Sequence, residues 1–562
     1  MNTDTNFAHF FRLACGTTAK LDPHRWQSEL AAEPTCEDRL IRIPTGFGKT
    51  LGALCAWLWN LQESNDPAWP RRLVWCLPMR TLVEQTEAEV RAVLEHTSRY
   101  WDGVGDHAGK VGVHVLMGGS DSGDWHLYPE HPAVLIGTQD MLLSRALNRG
   151  YAAPRARWPM EFGLLNHDCL WVMDEVQLMD VGLTTSAQLQ AFRRDDLDVG
   201  TSIRPCRTWW MSATLQPAWL AQSPDTQKLC EALAHLQTRI APSQRTGPLW
   251  TDVRKPNSLV PLGDSPALAR RIAARHIECG RGANGPTLVV VNTVRTALAV
   301  YSALAKDPSV ASVDLRLVHS RFRPAERAHW RGRFLNRSAC APGTDRILIA
   351  TQVIEAGVDV SAGLLITELA PWASLVQRFG RAARWGGSAD VEIIDFEYPT
   401  DKAALPYSLA QLDAARNALK RLDDVAPLTL EAFEEAHPDL LPQLYPYTPR
   451  HVLLRHEVDE LFDTSPDLSG ADIDISRFIR SGDERDVQVF WAEIASKQQP
   501  DPSSRPAREA LCSVPFLNAR SWLCGKDKSR HLQPGKRAWV WDYLDGKWRV
   551  AERGDIYPGQ TI

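Results

Sequence analysis

The chain has 562 residues, 44% hydrophobic and 23% charged, an ordinary globular composition that excludes a low-complexity or disulfide-scaffold class. That length exceeds what one hydrophobic core serves and sets an expectation of three or four compact units of roughly 100–200 residues each. A formal net charge of -5 gives no global cationic footprint, so any nucleic-acid contact needs a local basic groove; without a run of about 18 apolar residues or a basic-then-apolar start, a cytoplasmic protein with no membrane contact is expected.

From the N-terminus, Trp26-Gln27 precedes a strand expected over Arg39–Ile43, and a helix is expected over Leu51–Leu61. Between them runs Ile43-Pro44-Thr45-Gly46-Phe47-Gly48-Lys49-Thr50. Further apolar runs, Arg71–Leu77, Ala133–Ile136 and Cys169–Met173, alternate with longer helical stretches, the pattern of a parallel sheet covered by helices. The third run leads into Asp174-Glu175-Val176-Gln177, and another, Thr208–Met211, into Ser212-Ala213-Thr214. A polar stretch with proline and glycine, Ala241–Gly263, reads as a linker. Thr287–Val291, Leu315–Val318, Ile347–Ala350 and Leu364–Leu369 then repeat the pattern. Beyond Tyr398 come a helix over Leu409–Leu422, an acidic stretch, and a hairpin turning at Asp545-Gly546 between tryptophan-rich strands. The expected fold is α/β: two tandem parallel-sheet domains, residues 1–245 and 246–397, followed by a mixed α+β accessory domain, residues 398–562. The 11 cysteines contain no CxxC pair, which argues against a zinc site or a disulfide framework.

A glycine-bearing loop at a strand-to-helix junction aims backbone N–H groups and the positive helix end at a polyphosphate. Here Thr45, Gly46 and Gly48 would shape the cradle, Lys49 would neutralise the β- and γ-phosphates, and Thr50 would give a hydroxyl to magnesium. Ile43 stands where the strict pattern has its first glycine, so the loop alone reads equally as a glycine-rich turn. Its partner is the Asp174-Glu175 pair. At the C-terminal edge of a parallel sheet, Asp174 can hold magnesium while Glu175 polarises an attacking water. Together the motifs point to hydrolysis of a nucleoside triphosphate. In the second α/β unit, Gln377-Arg378-Phe379-Gly380-Arg381-Ala382-Ala383-Arg384 sets three arginines at helical spacing, with Arg381 and Arg384 on one face. A solvated basic face is the bland reading. Arginine fingers reaching the phosphates from a separate domain are the functional one, with Gln377 beside them. Ala350–Asp359 precedes this motif and offers Thr351 to a phosphate, Gly357 to the nucleotide loop and Asp359 to a ribose hydroxyl.

Taken in order, Pro44–Thr50, Pro78–Gln85, Gly137–Gln139, Asp174–Gln177, Ser212–Thr214, Ala350–Asp359 and Gln377–Arg384 resemble the motifs of the superfamily 2 helicases of DExH type, over about residues 20–390. The resemblance implies two RecA-like domains, ATP and Mg2+ as cofactors, and single-stranded nucleic acid as the track, moved usually 3′ to 5′. It makes Gln27 the reader of the adenine base, the blander alternative being a surface glutamine near a helix start. It also gives Pro78, Arg80, Thr138 and Thr351 contacts to strand phosphates, which carry no base information. Gln177 departs from the histidine of DExH relatives, which touches the coupling of hydrolysis to motion. Leu317–Phe322, Glu368–Pro371 and the Asp-Glu-Val-Gln form are similar to the helicase portion of the type I CRISPR-associated helicase-nuclease, and Arg455–Ile479 to a subtype whose nuclease domain follows the helicase. The implied partners are single-stranded DNA, an RNA-guided CRISPR surveillance complex, and an HD nuclease supplied beyond Ile562 or on another chain. The lone His167-Asp168 dipeptide and the isolated His437, His451, His456 and His531 do not compose such a nuclease. A stand-alone DNA or RNA remodelling helicase and a nucleotide-dependent, nucleic-acid-binding switch are the alternatives.

Overall fold

In the computed structural model the described residues are 3–16, 22–63, 68–103, 108–117, 125–151, 153–202, 204–327, 329–463, 473–480, 486–494, 499–501, 506–525, 532–533, 535–542, 546–556 and 560–562. Two compact units form, and neither follows chain order. The first gathers Met1–Ser258, Leu369–Ser388 and Tyr398–Ser481; the second gathers Leu259–Glu368, Ala389–Glu397 and Gly482–Ile562.

Eight strands build the sheet of the first unit: β1 (Arg39–Arg42), β2 (Arg72–Leu77), β3 (Tyr100–Trp101), β4 (Val111–Leu116), β5 (Ala133–Thr138), β6 (Cys169–Asp174), β7 (Arg207–Ser212) and β8 (Gln237–Arg239). Their spatial order is β3-β4-β5-β2-β6-β7-β1-β8, and every pair is parallel. The central strands read as unbroken apolar runs because helices cover both faces. Leu73 to Leu77 are all 0% exposed. Tryptophans fill this core, and their indole N–H groups find acceptors: Trp57 donates to Pro70 O at 2.8 Å, Trp171 to Leu165 O at 2.8 Å and Trp210 to Ser186 Oγ at 2.9 Å.

The second unit carries β9 (Asn257–Pro261), β10 (Thr287–Val290), β11 (Asp314–Val318), β12 (Arg346–Ala350), β13 (Leu364–Glu368) and β14 (Asp390–Asp395), ordered β11-β12-β10-β13-β14-β9. Val289, Ile347, Ile349 and Ile366 meet Leu268, Ile272 and Val300 in its core. Two small antiparallel pairs follow, β15 (Asp486–Val489) with β16 (Cys512–Pro515) and β17 (Trp539–Asp542) with β18 (Lys547–Val550). In the last pair Trp541 lies opposite Trp548, edge to face at 5.5 Å. The expected hairpin is therefore present; Asp545 of its turn lies outside the described residues, as do His531 and residues 464–472 of the Arg455–Ile479 segment.

The stretch expected as a linker, Ala241–Gly263, is packed structure. It forms a short helix at Pro242–Gln244 and then β9, because Trp250 and Val253 bury to 3% and 2% exposure. All 11 cysteines are free. Among the described residues, no helix is long and apolar enough to cross a membrane.

A buried ion pair ties the helix Pro427–Ala436 to the end of β1. Arg42 and Glu434 are 8% and 6% exposed, and the Arg42 guanidinium donates to the carboxylate of Glu434. Trp372 Nε1 and Tyr445 Oη donate to Glu434 as well, at 3.1 and 2.5 Å. Replacing Glu434 by glutamine strips the counter-charge from a buried arginine, so stability falls by about 3–5 kcal/mol. Urea unfolding of the variant checks this, and an unchanged midpoint would show the pair to be dispensable.

Candidate active site

β1 ends at Arg42, and the helix Lys49–Glu63 starts after six intervening residues. The loop between them bends through Gly46 and Gly48, at φ +98° and +66°, backbone that L side chains resist. Gly48 also has no room for more: a Cβ there would lie 2.9 Å from the amide nitrogen of Gln27. Lys49 is 9% exposed; its ammonium donates to Ile43 O at 3.2 Å and stands 3.9 Å from Glu175 Oε1. Thr50 follows in the first helical turn, half-buried.

β6 delivers Asp174 and Glu175 opposite that lysine. Glu175 adopts a left-handed backbone, φ +53°, which turns the chain off the strand. Asp174 accepts from Trp75 Nε1 at 3.2 Å and from the Glu175 N–H at 2.9 Å. Burial, and next the adjacent Glu175 carboxylate, push the Asp174 carboxyl up to about 7, with Lys49 pulling the other way. A buried carboxyl and a half-buried hydroxyl from Thr50 fit magnesium, which takes few protein ligands and completes its shell with nucleotide phosphate and water.

Gln177 sits at the centre of a chain of hydrogen bonds. Its Nε2 donates to Glu175 Oε2 at 2.7 Å, and its Oε1 accepts from Ser212 Oγ at 2.6 Å. The Thr214 N–H in turn donates to Ser212 Oγ at 3.0 Å. A neutral amide thus joins the Asp174-Glu175 turn to the end of β7, donating at one end and accepting at the other whatever the pH.

The arginine motif departs from its expected form. The helix Trp372–Phe379 stops short of Arg381; Gly380 caps it, the Arg381 N–H turns back to Arg378 O at 2.8 Å, and Ala383 takes φ +40°. Arg381 and Arg384 therefore do not share a helical face. Nor does the segment belong to the second unit. Leu369–Ser388 packs with the glycine loop after β1, since Gly380 lets Thr45 approach to 3.5 Å from where a Cβ would stand, and Arg384 O lies 3.9 Å from such a position on Gly46. Gln377 is 3% exposed; its Oε1 accepts from the Thr45 hydroxyl at 3.4 Å, and its buried Nε2 has no hydrogen-bond partner among the described residues.

Gln27 is 1% exposed and both ends of its amide are engaged: Nε2 donates to Gly48 O at 2.9 Å, and Oε1 accepts from the His24 N–H at 2.8 Å. Beside it a groove of about 230 Å³ is lined by His24, Trp26, Phe47, Gln244 and Trp250. Thr351, Gly357 and Asp359 lie in the second unit, on the loop after β12, with Gly357 at φ +74°. Pro78 and Arg80 flank the start of the helix Arg80–His96, and Thr138, 6% exposed, caps the helix Gln139–Ala146. The His167-Asp168 dipeptide is a clasp: Asp168 Oδ1 accepts from the Arg71 N–H at 2.9 Å and lies 3.0 Å from Arg204 Nε.

One residue of the site has no sequence signal. Lys255, 3% exposed, donates to Phe379 O, the last carbonyl of the helix before the arginines, at 2.8 Å. Burial lowers its ammonium to about 7 against the attraction of Asp424, and Arg384 lowers it further. It stood in what read as a linker, where a lone lysine says nothing.

Residues 26–222 match the family described as DEAD/DEAH box helicase, and residues 283–386 match the one described as CRISPR-associated nuclease/helicase Cas3, C-terminal. Over 140 residues the chain is 36% identical to the CRISPR-associated nuclease/helicase Cas3 of Methanothermobacter thermautotrophicus, covering 24% of this chain and 16% of that protein. It is 33% identical over 151 residues to the CRISPR-associated helicase Cas3 of Thermoproteus tenax, covering 27% of this chain and 24% of that one. The matched stretches thus span less than a quarter of either relative. Among solved structures, T. fusca Cas3-AMPPNP is similar over 96% of this chain and 72% of its own, with a TM-score of 0.61 and 18% identity. The helicase MrfA bound to DNA is similar over 97% and 73%, with a TM-score of 0.57 and 14% identity. At these identities the likeness is one of fold.

Lys49→Ala and Glu175→Gln are both expected to abolish ATP turnover, for different reasons. With Lys49 expected to face the phosphates and Glu175 expected to serve as the base, the first variant should lose nucleotide affinity steeply, whereas the second keeps shape and should largely retain it. Equal affinity losses in a fluorescent-nucleotide titration would mean the roles are exchanged. Arg381→Ala and Arg384→Ala are expected to cut turnover by about 10³-fold with binding retained, because such arginines act on transition-state charge. Near-normal turnover at saturating ATP in either variant contradicts the assignment.

Proposed function

We propose, from the match of residues 26–222 to the DEAD/DEAH box helicase family and of residues 283–386 to the Cas3 C-terminal family, that this chain is an ATP-driven translocase and helicase on single-stranded DNA, working in type I CRISPR interference. The observation that carries the reading is the convergence of Lys49, Asp174 and Glu175 with the Gln377–Arg384 segment around one glycine loop. Such a cluster of two carboxylates and a lysine, with an arginine-bearing segment packed on the same loop, is suited to cleaving a phosphoanhydride, where positioning and charge stabilisation supply most of the catalysis.

In this reading Lys49 leaves Ile43 O and turns to the β- and γ-phosphates. Asp174 and Thr50 would hold magnesium, which would neutralise phosphate charge when bound. Glu175, its carboxylate steadied by the Gln177 amide, polarises the water. Arg381 and Arg384 meet the charge that develops on the transferred group, and the Gln377 Nε2 adds a donor beside Thr45. The aromatic groove beside Gln27 takes the base, and by the resemblance to the helicases Gly357 and Asp359 are assigned to the nucleotide. Pro78, Arg80, Thr138 and Thr351 hold the strand by its phosphates, so movement is largely independent of sequence. An RNA-guided surveillance complex presents the DNA, and an HD nuclease, in cis beyond these residues or in trans, cuts it.

The test is ATP turnover with single-stranded DNA, with RNA and with neither, beside a strand-displacement assay. Strong stimulation by DNA, with displacement, is the expected outcome. Equal stimulation by RNA would favour a general remodelling helicase, and hydrolysis without displacement would favour a nucleotide switch.

A further inference from the structure

Far along the chain, the segment Ile475–Arg480 is bound to the first unit more tightly than its length suggests. Ile475, Phe478 and Ile479 are at most 3% exposed. Its backbone carbonyls are taken up by side chains: the Thr185 hydroxyl donates to Phe478 O at 2.5 Å, and Gln139 Nε2 donates to Ile479 O at 3.1 Å. Gly182 leaves the space for it, since a Cβ there would stand 3.1 Å from Ile479 O.

Arg480 ends this segment in a three-way grip. Its Nε and Nη2 donate to the two carboxylate oxygens of Asp140, both at 2.8 Å, and Nη2 also donates to Pro78 O at 2.7 Å. Pro78 lies in the turn after β2, two residues before Arg80. Asp140 lies in the first turn of the helix capped by Thr138. One guanidinium thus bridges the two loops that carry Pro78, Arg80 and Thr138. It also covers a carboxylate that would otherwise repel a strand's phosphates from the same place.

We infer that Arg480 is a positioning residue of the nucleic-acid interface, setting the spacing of the Pro78 and Thr138 loops and masking the charge of Asp140. The inference rests on the reading of those loops as the strand's path. A planar guanidinium fork can grip both carboxylate oxygens and a carbonyl together, whereas an ammonium on a flexible stem cannot hold that geometry. The arginine is required by this role, and its partner Asp140 is required with it.

The experiment uses the full chain with a fluorescent oligothymidylate, reading anisotropy and the half-saturating concentration for stimulation of ATP turnover. Arg480→Gln and Asp140→Asn are each expected to raise that concentration about tenfold while the KM for ATP stays in place. The double variant should be no worse than either single one, as for two residues of one hydrogen-bond network. Arg480→Lys should fail to rescue, and the exchanged pair Arg480→Asp with Asp140→Arg should recover part of the loss. Unchanged half-saturation in both single variants overturns the inference, as does a KM for ATP that rises in step, which marks a general structural fault. A salt dependence shallower by about 0.7 in Arg480→Gln alone would make Arg480 a direct phosphate ligand and overturn the positioning role. Failure of the parent reading looks different: the wild-type chain would then bind no oligothymidylate.

Discussion

Two carboxylates and a lysine have to share the buried end of one strand, and the first unit is arranged around that requirement. Asp174 and Glu175 adjoin in sequence, so the Glu175 carboxylate adds to the cost of charging the buried Asp174, and Lys49, 3.9 Å from Glu175, works against it. The surroundings answer with donors: the Trp75 indole, the Glu175 N–H and the Gln177 amide. Each fixes an oxygen that a mobile side chain would otherwise leave free. The left-handed backbone at Glu175 belongs to the same solution, because an extended strand would send two adjacent side chains to opposite faces, and the turn brings Glu175 to within 3.9 Å of Lys49.

Gln177 gives the cluster an outlet. A histidine at this place would change its hydrogen bonding with protonation near neutral pH. The glutamine keeps one donor on Glu175 and one acceptor for Ser212 throughout, so the link from β6 to β7 does not depend on pH. Substitution of the expected histidine therefore preserves a connection and removes a titratable group from it.

What could be read in the sequence follows from how local the signals are. Strands β1, β2, β5, β6, β7, β10, β11, β12 and β13 are largely apolar runs of four to six residues and emerge within a residue or two of their expected ends, whereas β3, β4, β8, β9 and β14 had no expected counterpart. Glycine loops and strand-end carboxylates announce themselves because phosphate chemistry restricts which residues serve. The arginine motif misled because Gly380 interrupts a pattern that otherwise spaces like a helix, and a single glycine decides where the helix stops. Ala241–Gly263 misled because its composition is that of a loop while Trp250 anchors it in a core. Lys255 on Phe379 and Arg480 on Asp140 were beyond reach for a simpler reason: partners separated by over a hundred residues leave no spacing to recognise.

The division of the C-terminal third has the same origin. Tyr398–Ser481 joins the first unit through contacts such as Arg42 with Glu434 and Asp140 with Arg480, and Gly482–Ile562, with its own small core of Val487, Val540, Ile556 and Ile562, joins the other through contacts such as Cys512 with Arg321 O and Arg321 over the Trp522 ring. Chain order would have kept these residues together. The central claim remains that nucleotide hydrolysis at Lys49, Asp174 and Glu175 drives movement along a strand. Streptavidin displacement from the ends of biotinylated single-stranded DNA tests it most directly. The account predicts ATP-dependent displacement from one end only, lost in Glu175→Gln; hydrolysis that proceeds at full rate while streptavidin stays bound at both ends would contradict it.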